Sequence, residues 1–232
     1  MSERLEKLRG IDRLPIFPLP LVLLPNELLP LHIFEDRYRK MLADASQNNN
    51  IFGISLFEPV ESFIERPDVG TVGCVAEIRD VQTMEDGRSN IVTLGTVRYR
   101  LLEFVQTDEP YLLAEIEFFE DDAEDPSVLG PLADKVFAVF ERIAKAAFKM
   151  SGNRGTFPEL ERTDPESFSF LAAAAFNFEN GLKYRLLETT STTERLEKLL
   201  EILLKAVGQM EEGAIIQKAA QTNGHSKKKL DI

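Results

Sequence analysis

The spacing of apolar and polar positions changes once along the chain, near residue 120. Before that point, short runs of leucine, isoleucine and valine lie between proline, glycine and asparagine turn signals, a pattern typical of strands. These runs predict six strands, at residues 14–17, 27–34, 51–57, 72–81, 90–103 and 111–119. One helix is predicted among them, from about Glu35 to Ser46, because Tyr38, Met41 and Ala45 follow helical spacing.

The first predicted strand is followed by a hydrophobic stretch that is rich in proline. Because proline cannot donate a hydrogen bond to a strand ladder, residues 18–26 are predicted to form a connection. The same prolines exclude a membrane-spanning helix here, and no other window has eighteen uncharged apolar residues. The N-terminus has no secretory signal pattern. We therefore expect a cytoplasmic protein that is not integral to a membrane.

Two glycine positions indicate how the strands are joined and bent. The sequence Glu85-Asp86-Gly87-Arg88 is a strong hairpin signal, because an Asp-Gly pair tolerates positive φ angles. Gly95 lies inside the strand that follows, which predicts a β-bulge. A bulge bends its strand, as the closure of a small barrel requires.

After residue 120 the apolar positions recur with helical spacing. A first helix is predicted from the stripe Leu132, Val136, Phe140, Ile143 and Ala147. Three more helices are predicted. One begins at Asp164-Pro165, one covers residues 182–189, and the last begins at the capping box Ser191–Glu194 and ends at Gly208.

These elements predict a division of the chain into five parts. The parts are a flexible N-terminus at 1–12, a sheet subdomain at 13–119, an acidic linker at 120–130, a helical subdomain at 131–208 and a partly disordered tail at 209–232. The acidic segment has five carboxylates within residues 120–125, which repel one another. A solvated hinge is favoured there over a cation site.

Charge and cysteine content limit the classes of function. The net charge is −12, with 27 Lys and Arg against 39 Asp and Glu, which disfavours nucleic acid as a partner. Cys74 is the only cysteine, so an intramolecular disulfide and a zinc site with two cysteine ligands are excluded. No cofactor or metal is predicted.

The residue types that carry catalysis are scarce. The sequence has neither a G-x-x-x-x-G-K-[ST] phosphate loop nor a G-x-S-x-G elbow, and its only histidines are His32 and His225. His32 is predicted to be structural or partly exposed, and Cys74 to be a buried thiol that packs as a small hydrophobe. No enzyme activity is expected, and a hydrolase with an unrecognised site is the least favoured alternative.

Five stretches of the sequence together resemble the N-terminal domain of Lon proteases. They are the proline-bounded opening L-P-I-F-P-L-P-L-V-L-L-P-N-E-L-L-P-L-H-I-F-E-D-R-Y at 14–38, V-G-T-V-G-C-V-A-E-I at 69–78, E-D-G-R at 85–88, L-G-T-V-R-Y-R at 94–100 and T-T-E-R-L-E-K-L-L at 192–200. The resemblance implies an α+β fold, in which a PUA-like, mostly antiparallel β-barrel with one helix precedes a small helical bundle. In full-length Lon proteases this module helps to recognise substrates and to assemble the oligomer. The ATPase and Ser-Lys peptidase domains that follow it there have no counterpart in this sequence.

The resemblance implies that the chain binds polypeptide clients, or a protease or chaperone partner. Whether it forms an oligomer is left open. The predicted contact surface combines apolar residues of the connection with charged residues at the start of the first helix: Leu19, Leu21, Leu23, Leu24, Asp36, Arg37 and Lys40. Two alternatives remain. The leucines could instead pack against the helical subdomain, and Asp36 could form an i,i+4 ion pair with Lys40.

RNA binding is a second functional hypothesis, because PUA domains are related to the implied barrel. Arg98, Tyr99 and Arg100 are the one short basic and aromatic run that would suit it. The net charge argues against this hypothesis.

Overall fold

The computed structural model describes residues 3–58, 66–151 and 156–223. Six strands form one sheet: β1 (Arg13–Leu19), β2 (Leu28–Ile33), β3 (Ile51–Leu56), β4 (Val72–Thr83), β5 (Ser89–Val105) and β6 (Leu112–Phe119). The helices of the described ranges are α1 (Glu3–Lys7), α2 (Asp36–Gln47), α3 (Pro126–Met150), α4 (Pro165–Ala174), α5 (Asn180–Glu188) and α6 (Thr192–Asn223). Each predicted strand and the helix after β2 are present.

The strand pairings close on themselves. β1 pairs in parallel with β3. The other pairs are antiparallel: β3 with β4, β4 with β5, β5 with β6, and β6 with β1. Because β6 pairs with both β5 and β1, five strands complete a ring. β2 is added outside this ring and pairs with β5 alone. The predicted α+β fold with a mostly antiparallel barrel is confirmed.

The long strand β5 bends at Gly95, as predicted. Ala76 lies opposite Gly95 and Cys74 lies opposite Arg98, so β5 has one more residue than β4 in this interval. Glycine is required here by a close approach of two backbones, because a Cβ at position 95 would lie 2.1 Å from the carbonyl oxygen of Leu24. The extra residue therefore bends β5 where the connection before β2 crosses it.

The barrel interior forms the hydrophobic core of the sheet. Its buried members are Leu14, Ile16, Ile51, Val75, Tyr99, Leu101, Ala114 and Ile116. The Tyr99 hydroxyl satisfies its hydrogen-bonding capacity inside this core through the hydroxyl of Ser55, 2.8 Å away. Along β6 every second residue belongs to this core, since Ala114 and Ile116 are buried and Leu112 and Phe118 pack against the cluster.

The prediction of a flexible N-terminus was wrong for the described residues after residue 2. Residues 3–7 form α1, and Leu8 and Ile11 pack against the barrel core. The Arg4 guanidinium also donates a hydrogen bond to Asn26 Oδ1 at 2.9 Å. The signal in the sequence was weak because only two apolar residues in a charged segment make this contact.

The chain divides into two compact units whose boundaries differ from the predicted ones. The first comprises the residues up to 124 together with 163–192, and the second comprises 125–162 together with the residues from 193 onward. α4 and α5 thus belong with the sheet, although the prediction placed them in one helical subdomain with α3 and α6.

Polar contacts explain why α5 belongs with the sheet. Lys183 of α5 forms an ion pair with Glu27 at 2.8 Å, and the Tyr184 hydroxyl accepts a hydrogen bond from the Val72 N–H at 3.0 Å. Helical periodicity identified α5 but contained no information about its partner, because these bonds span more than 100 residues of sequence.

Two predicted boundaries in the second unit were wrong. The acidic linker does not extend to residue 130, because α3 begins at Pro126, with the Asp125 carboxylate capping it through the Ser127 N–H at 2.8 Å. α6 continues through Gly208 to Asn223, so a large part of the predicted disordered tail is helical. One glycine costs a helix only about 1 kcal/mol, and no proline follows to end it. Residues 224–232 of that tail lie outside the described residues.

No helix in the described ranges is both long and apolar enough to cross a membrane.

Candidate functional site

The leucines of the connection do not form one exposed surface. Leu23 and Leu24 are 1% and 0% exposed, whereas Leu19 and Leu21 are half-buried. Leu23 and Leu24 therefore belong to the core, and their predicted place in a binding surface was wrong. The carbonyl of Pro20 accepts a hydrogen bond from the Asn180 side chain at 3.0 Å, which ties the connection to α5. A binding role for Leu19 and Leu21 stays a prediction.

Glu27 fixes the end of the connection. One carboxylate oxygen accepts a hydrogen bond from the Leu24 N–H at 2.9 Å, and the other lies 2.8 Å from Lys183 Nζ. The Glu27 carbonyl accepts from the Gly95 N–H at 2.9 Å, and the Gly95 carbonyl accepts from the Asn26 N–H at 2.8 Å. These bonds hold the connection that contains the buried leucines in place.

Asp36, Arg37 and Lys40 are exposed at the start of α2, but they pair differently from the prediction. Asp36 accepts a hydrogen bond from Arg39 at 3.0 Å, while Lys40 pairs with Asp44 and, at 3.2 Å, with Glu109. The predicted ion pair between Asp36 and Lys40 was wrong because Lys40 has a second i,i+4 carboxylate and reaches the β5–β6 connection as well. Hydrogen bonds to Asp44 and then Glu109 raise the pKa of Lys40.

A groove of about 550 Å³ lies beside this helix start and reaches the β5–β6 connection. Arg37, Tyr38, Arg66, Phe104 and Tyr111 line it, together with other residues of 105–113. The guanidiniums of Arg37 and Arg66 each lie 4.6 Å from an aromatic ring centroid, of Tyr38 and Phe104 respectively. The groove thus brings Arg37 of the predicted surface together with aromatic residues that the prediction did not include. Binding by Asp36, Arg37 and Lys40 stays a prediction.

The sequence reasoning missed the most exposed apolar surface of the sheet. Alternate residues of β2 and of the position after it face solvent, and we call them the β2 face: Leu28, Pro30, His32 and Phe34. Leu28 and Phe34 are 63% and 59% exposed. The alternation of these positions in a strand with a central proline was the available signal, because proline favours an edge strand.

A cavity of about 340 Å³ adjoins the β2 face. Its lining consists of Pro30, Leu31, His32, Asp80, Gln82, Asn90, Ile91 and Val92. His32 Nδ1 lies 2.7 Å from Asn90 Oδ1, and the His32 ring stacks on Phe34 with 5.9 Å between centroids. The imidazole is therefore held in a fixed orientation at the mouth of the cavity.

The chemistry around His32 does not suit a hydrolase. The residues that line the cavity include no serine, threonine or cysteine that could act as a nucleophile. Within the described ranges, no group of three or more His, Cys, Asp or Glu side chains is placed to hold a metal ion. The cavity presents a small mixed surface of apolar groups, the amides of Gln82 and Asn90, and the carboxylate of Asp80.

Cys74 is buried, as predicted, at 0% exposure. Burial raises the pKa of its thiol to about 12, so the thiol stays protonated at neutral pH and is a poor nucleophile.

The run that suited RNA binding is largely inside the protein. Arg98 and Tyr99 are 2% and 0% exposed, and only Arg100 reaches solvent. No basic and aromatic strand face is presented by these three residues.

Comparison with known proteins identifies the family. The family model of the ATP-dependent protease La (LON) substrate-binding domain matches residues 13–205. The chain belongs to the Lon substrate-binding domain family. This match spans both units, the buried connection and the β2 face.

The relatives with the same domain are full Lon proteases. The chain is 27% identical over 204 residues to a Lon protease of Dictyoglomus thermophilum, which covers 83% of this chain and 24% of that protein. It is 29% identical over 204 residues to a Lon protease of Anaeromyxobacter dehalogenans, covering 82% of this chain and 23% of the relative. The chain therefore spans about a quarter of the length of these relatives.

Solved Lon domains share the fold. A Lon N-terminal domain protein from Xanthomonas campestris is 26% identical with a TM-score of 0.59, covering 82% of this chain and 98% of its own. The N-terminal domain of a Mycobacterium avium complex Lon protease has a TM-score of 0.61, covering 82% of this chain and 97% of its own. At 19% identity, the second similarity concerns the fold alone.

Proposed function

We propose that this Lon-family chain is a non-catalytic recognition module that binds unfolded polypeptide segments through the β2 face. The observation that carries the proposal is the exposure of Leu28, at the start of β2, and of Phe34, just after its end, at 63% and 59%. Contiguous exposed apolar side chains on a soluble domain mark interaction sites for other proteins.

The position of β2 in the sheet supports this proposal. In the described part of the chain, β2 pairs with β5 on one side and with no strand on the other. An open strand edge presents backbone donors and acceptors to an extended chain, and apolar side chains beside it add contact area. An unfolded client supplies both kinds of group, whereas a folded partner supplies few of them.

The role we propose in the cell is that of an adaptor or recognition part in protein quality control or proteolysis. Members of its family are named as substrate-binding domains and Lon proteases. The chain would supply the binding step, and the partner that acts on the bound polypeptide would be a protease or a chaperone.

The proposal is tested with a polypeptide that stays unfolded, namely reduced and carbamidomethylated lysozyme labelled with a fluorophore. Fluorescence anisotropy would measure its affinity for the parent chain and for Phe34→Ser and Leu28→Ser. The matched control is Leu102→Ser, which removes another exposed strand leucine, at 45% exposure, outside the β2 face. We expect each β2 variant to bind about tenfold more weakly, equal to about 1.4 kcal/mol, with no change for the control.

Two outcomes would contradict this assignment. If both β2 variants bind as tightly as the parent, the binding site lies outside the β2 face. The variant Arg37→Gln would then test whether the groove beside α2 binds the polypeptide. Absence of binding by the parent would reject polypeptide recognition itself.

A further inference from the structure

The cavity beside the β2 face has an apolar side and an acidic side. Pro30 and His32 lie on its β2 side, and Asp80 lies on its β4 side. The strand register places Val92 opposite both Pro30 and Asp80, so these three residues form one row across the sheet. An occupant of the cavity would therefore meet an apolar surface at one end and a carboxylate at the other.

Asp80 is an available carboxylate. It is exposed, and none of the ion pairs among the described residues includes it. Glu77, three positions earlier on β4, differs because Arg79 neutralises it at 3.0 Å. The eight residues that line the cavity include no lysine or arginine. The Asp80 carboxylate is therefore free to pair with a cation of a partner.

The size of the row limits the spacing of the partner's residues. Neighbouring strands lie about 4.8 Å apart, so β2 and β4 are separated by roughly 10 Å. A segment that spans this row lies across the face of the sheet and not along the edge of β2, and in an extended chain its residues i and i+2 face the same side about 6.6 Å apart. The long side chain of a lysine or arginine covers the remaining few ångströms while its stem stays on apolar surface.

We infer that the ligand of this cavity is an extended polypeptide segment with an apolar residue and a lysine or arginine two positions apart. The apolar side chain packs on Pro30 and His32, and the cation pairs with Asp80. This inference rests on the proposed function and specifies its client. The net charge of −12 acts in the same direction, because it attracts basic segments over a longer range.

The test compares two fluorescent peptides that differ at one position, one containing Phe-Ser-Lys and the other Phe-Ser-Gln in an otherwise identical uncharged sequence. We expect the parent to bind the lysine peptide about threefold to tenfold more tightly at low ionic strength, with the difference reduced by salt. Asp80→Asn should remove the difference by weakening the lysine peptide alone.

Glu103→Gln is the matched control. Glu103 is also an exposed strand carboxylate that forms no ion pair within the described part of the chain. Its replacement by glutamine changes the net charge by the same amount as Asp80→Asn. The control should retain the preference for lysine. Since both variants have the same net charge, a difference between them reports the position of the carboxylate and not total charge.

The outcomes separate this inference from the function on which it rests. If the parent binds both peptides equally and Phe34→Ser weakens both, polypeptide recognition stands and the basic-apolar client is wrong. If Asp80→Asn and Glu103→Gln reduce lysine-peptide binding equally, the attraction comes from total charge and the inference is overturned. If neither peptide nor unfolded lysozyme binds, the proposed function fails as well.

Discussion

The guanidinium of Arg98 and the carboxylate of Asp121 form an ion pair in which both side chains are only 2% exposed. Arg98 also donates to the carbonyls of Leu187 and Thr189, at 2.9 and 2.7 Å. The second carboxylate oxygen of Asp121 accepts a hydrogen bond from the Thr192 hydroxyl. One arginine of β5 thus joins the end of β6, the acidic segment and the end of α5 within the first unit.

Loss of Arg98 should destabilise the protein strongly. We expect Arg98→Met to lower the free energy of unfolding by about 3–5 kcal/mol, because it removes the buried guanidinium that pairs with the Asp121 carboxylate. Urea denaturation measures this change. Arg98→Met combined with Asp121→Leu should cost less than the sum of the two single variants, since the two side chains interact directly with each other.

An exposed ion pair supplies the control for this measurement. Arg13 and Glu115 lie 2.8 Å apart, with side chains 52% and 43% exposed. Arg13→Met should cost less than about 1 kcal/mol. An Arg98→Met variant that costs no more than Arg13→Met would contradict the structural role of the buried pair.

A methyl group at Gly95 should disturb the crossing of the connection over β5. A Cβ there would lie 2.1 Å from the Leu24 carbonyl oxygen, so a backbone must move. We expect Gly95→Ala to reduce the free energy of unfolding by about 1–3 kcal/mol or more, measured by urea denaturation. Gly130→Ala is the matched control because nothing lies within 4 Å of its Cβ position. In α3 this change should be neutral or stabilise by about 0.5–1 kcal/mol, and equal losses for the two variants would refute the close approach.

Ionisation of Cys74 should make the parent less stable at alkaline pH. Burial raises the pKa of the folded thiol from 9.0 to about 12. The stability that the neutral thiol contributes is therefore present below about pH 9 and is lost as the pH rises from 9 toward 12, because the unfolded thiol ionises first.

The comparison of the parent with Cys74→Ala isolates this effect. Between about pH 9 and pH 11 the free energy of unfolding of the parent should fall more steeply than that of the variant, by up to about 1.4 kcal/mol per pH unit. Identical slopes for the two proteins would show that the thiol has no raised pKa in the folded state.

Local patterns in the sequence were sufficient for the elements of the barrel. The prolines, the Asp-Gly turn and Gly95 each impose a backbone conformation on their own neighbourhood, so the strands, the hairpin and the bulge could be predicted from nearby residues. The helix end at Gly208 could not be predicted correctly, because a glycine inside a helix costs only about 1 kcal/mol and does not by itself end the helix.

The functional surface was harder to predict because exposure depends on distant residues. Leu24 and Leu28 are both leucines beside a proline-rich segment, yet one is 0% and the other 63% exposed. Leu24 lies in the connection, which Gly95 and Lys183 contact from 71 and 159 residues further along the chain, whereas Leu28 begins the edge strand β2. Likewise, the acidic segment was predicted to be solvated as a whole, but Asp121 is buried because Arg98 requires a counterion.

The most direct test of the account is to locate the bound polypeptide on the isotope-labelled chain by NMR. Carbamidomethylated lysozyme would be titrated in while backbone amide chemical shifts are followed. The account predicts that shifts change at Leu28, His32, Phe34 and their neighbours Asp80 and Val92, and that Phe34→Ser requires about tenfold more lysozyme for the same changes. Binding that shifts only residues of the groove beside α2, such as Arg37 and Tyr111, and leaves the β2 face unchanged would contradict it.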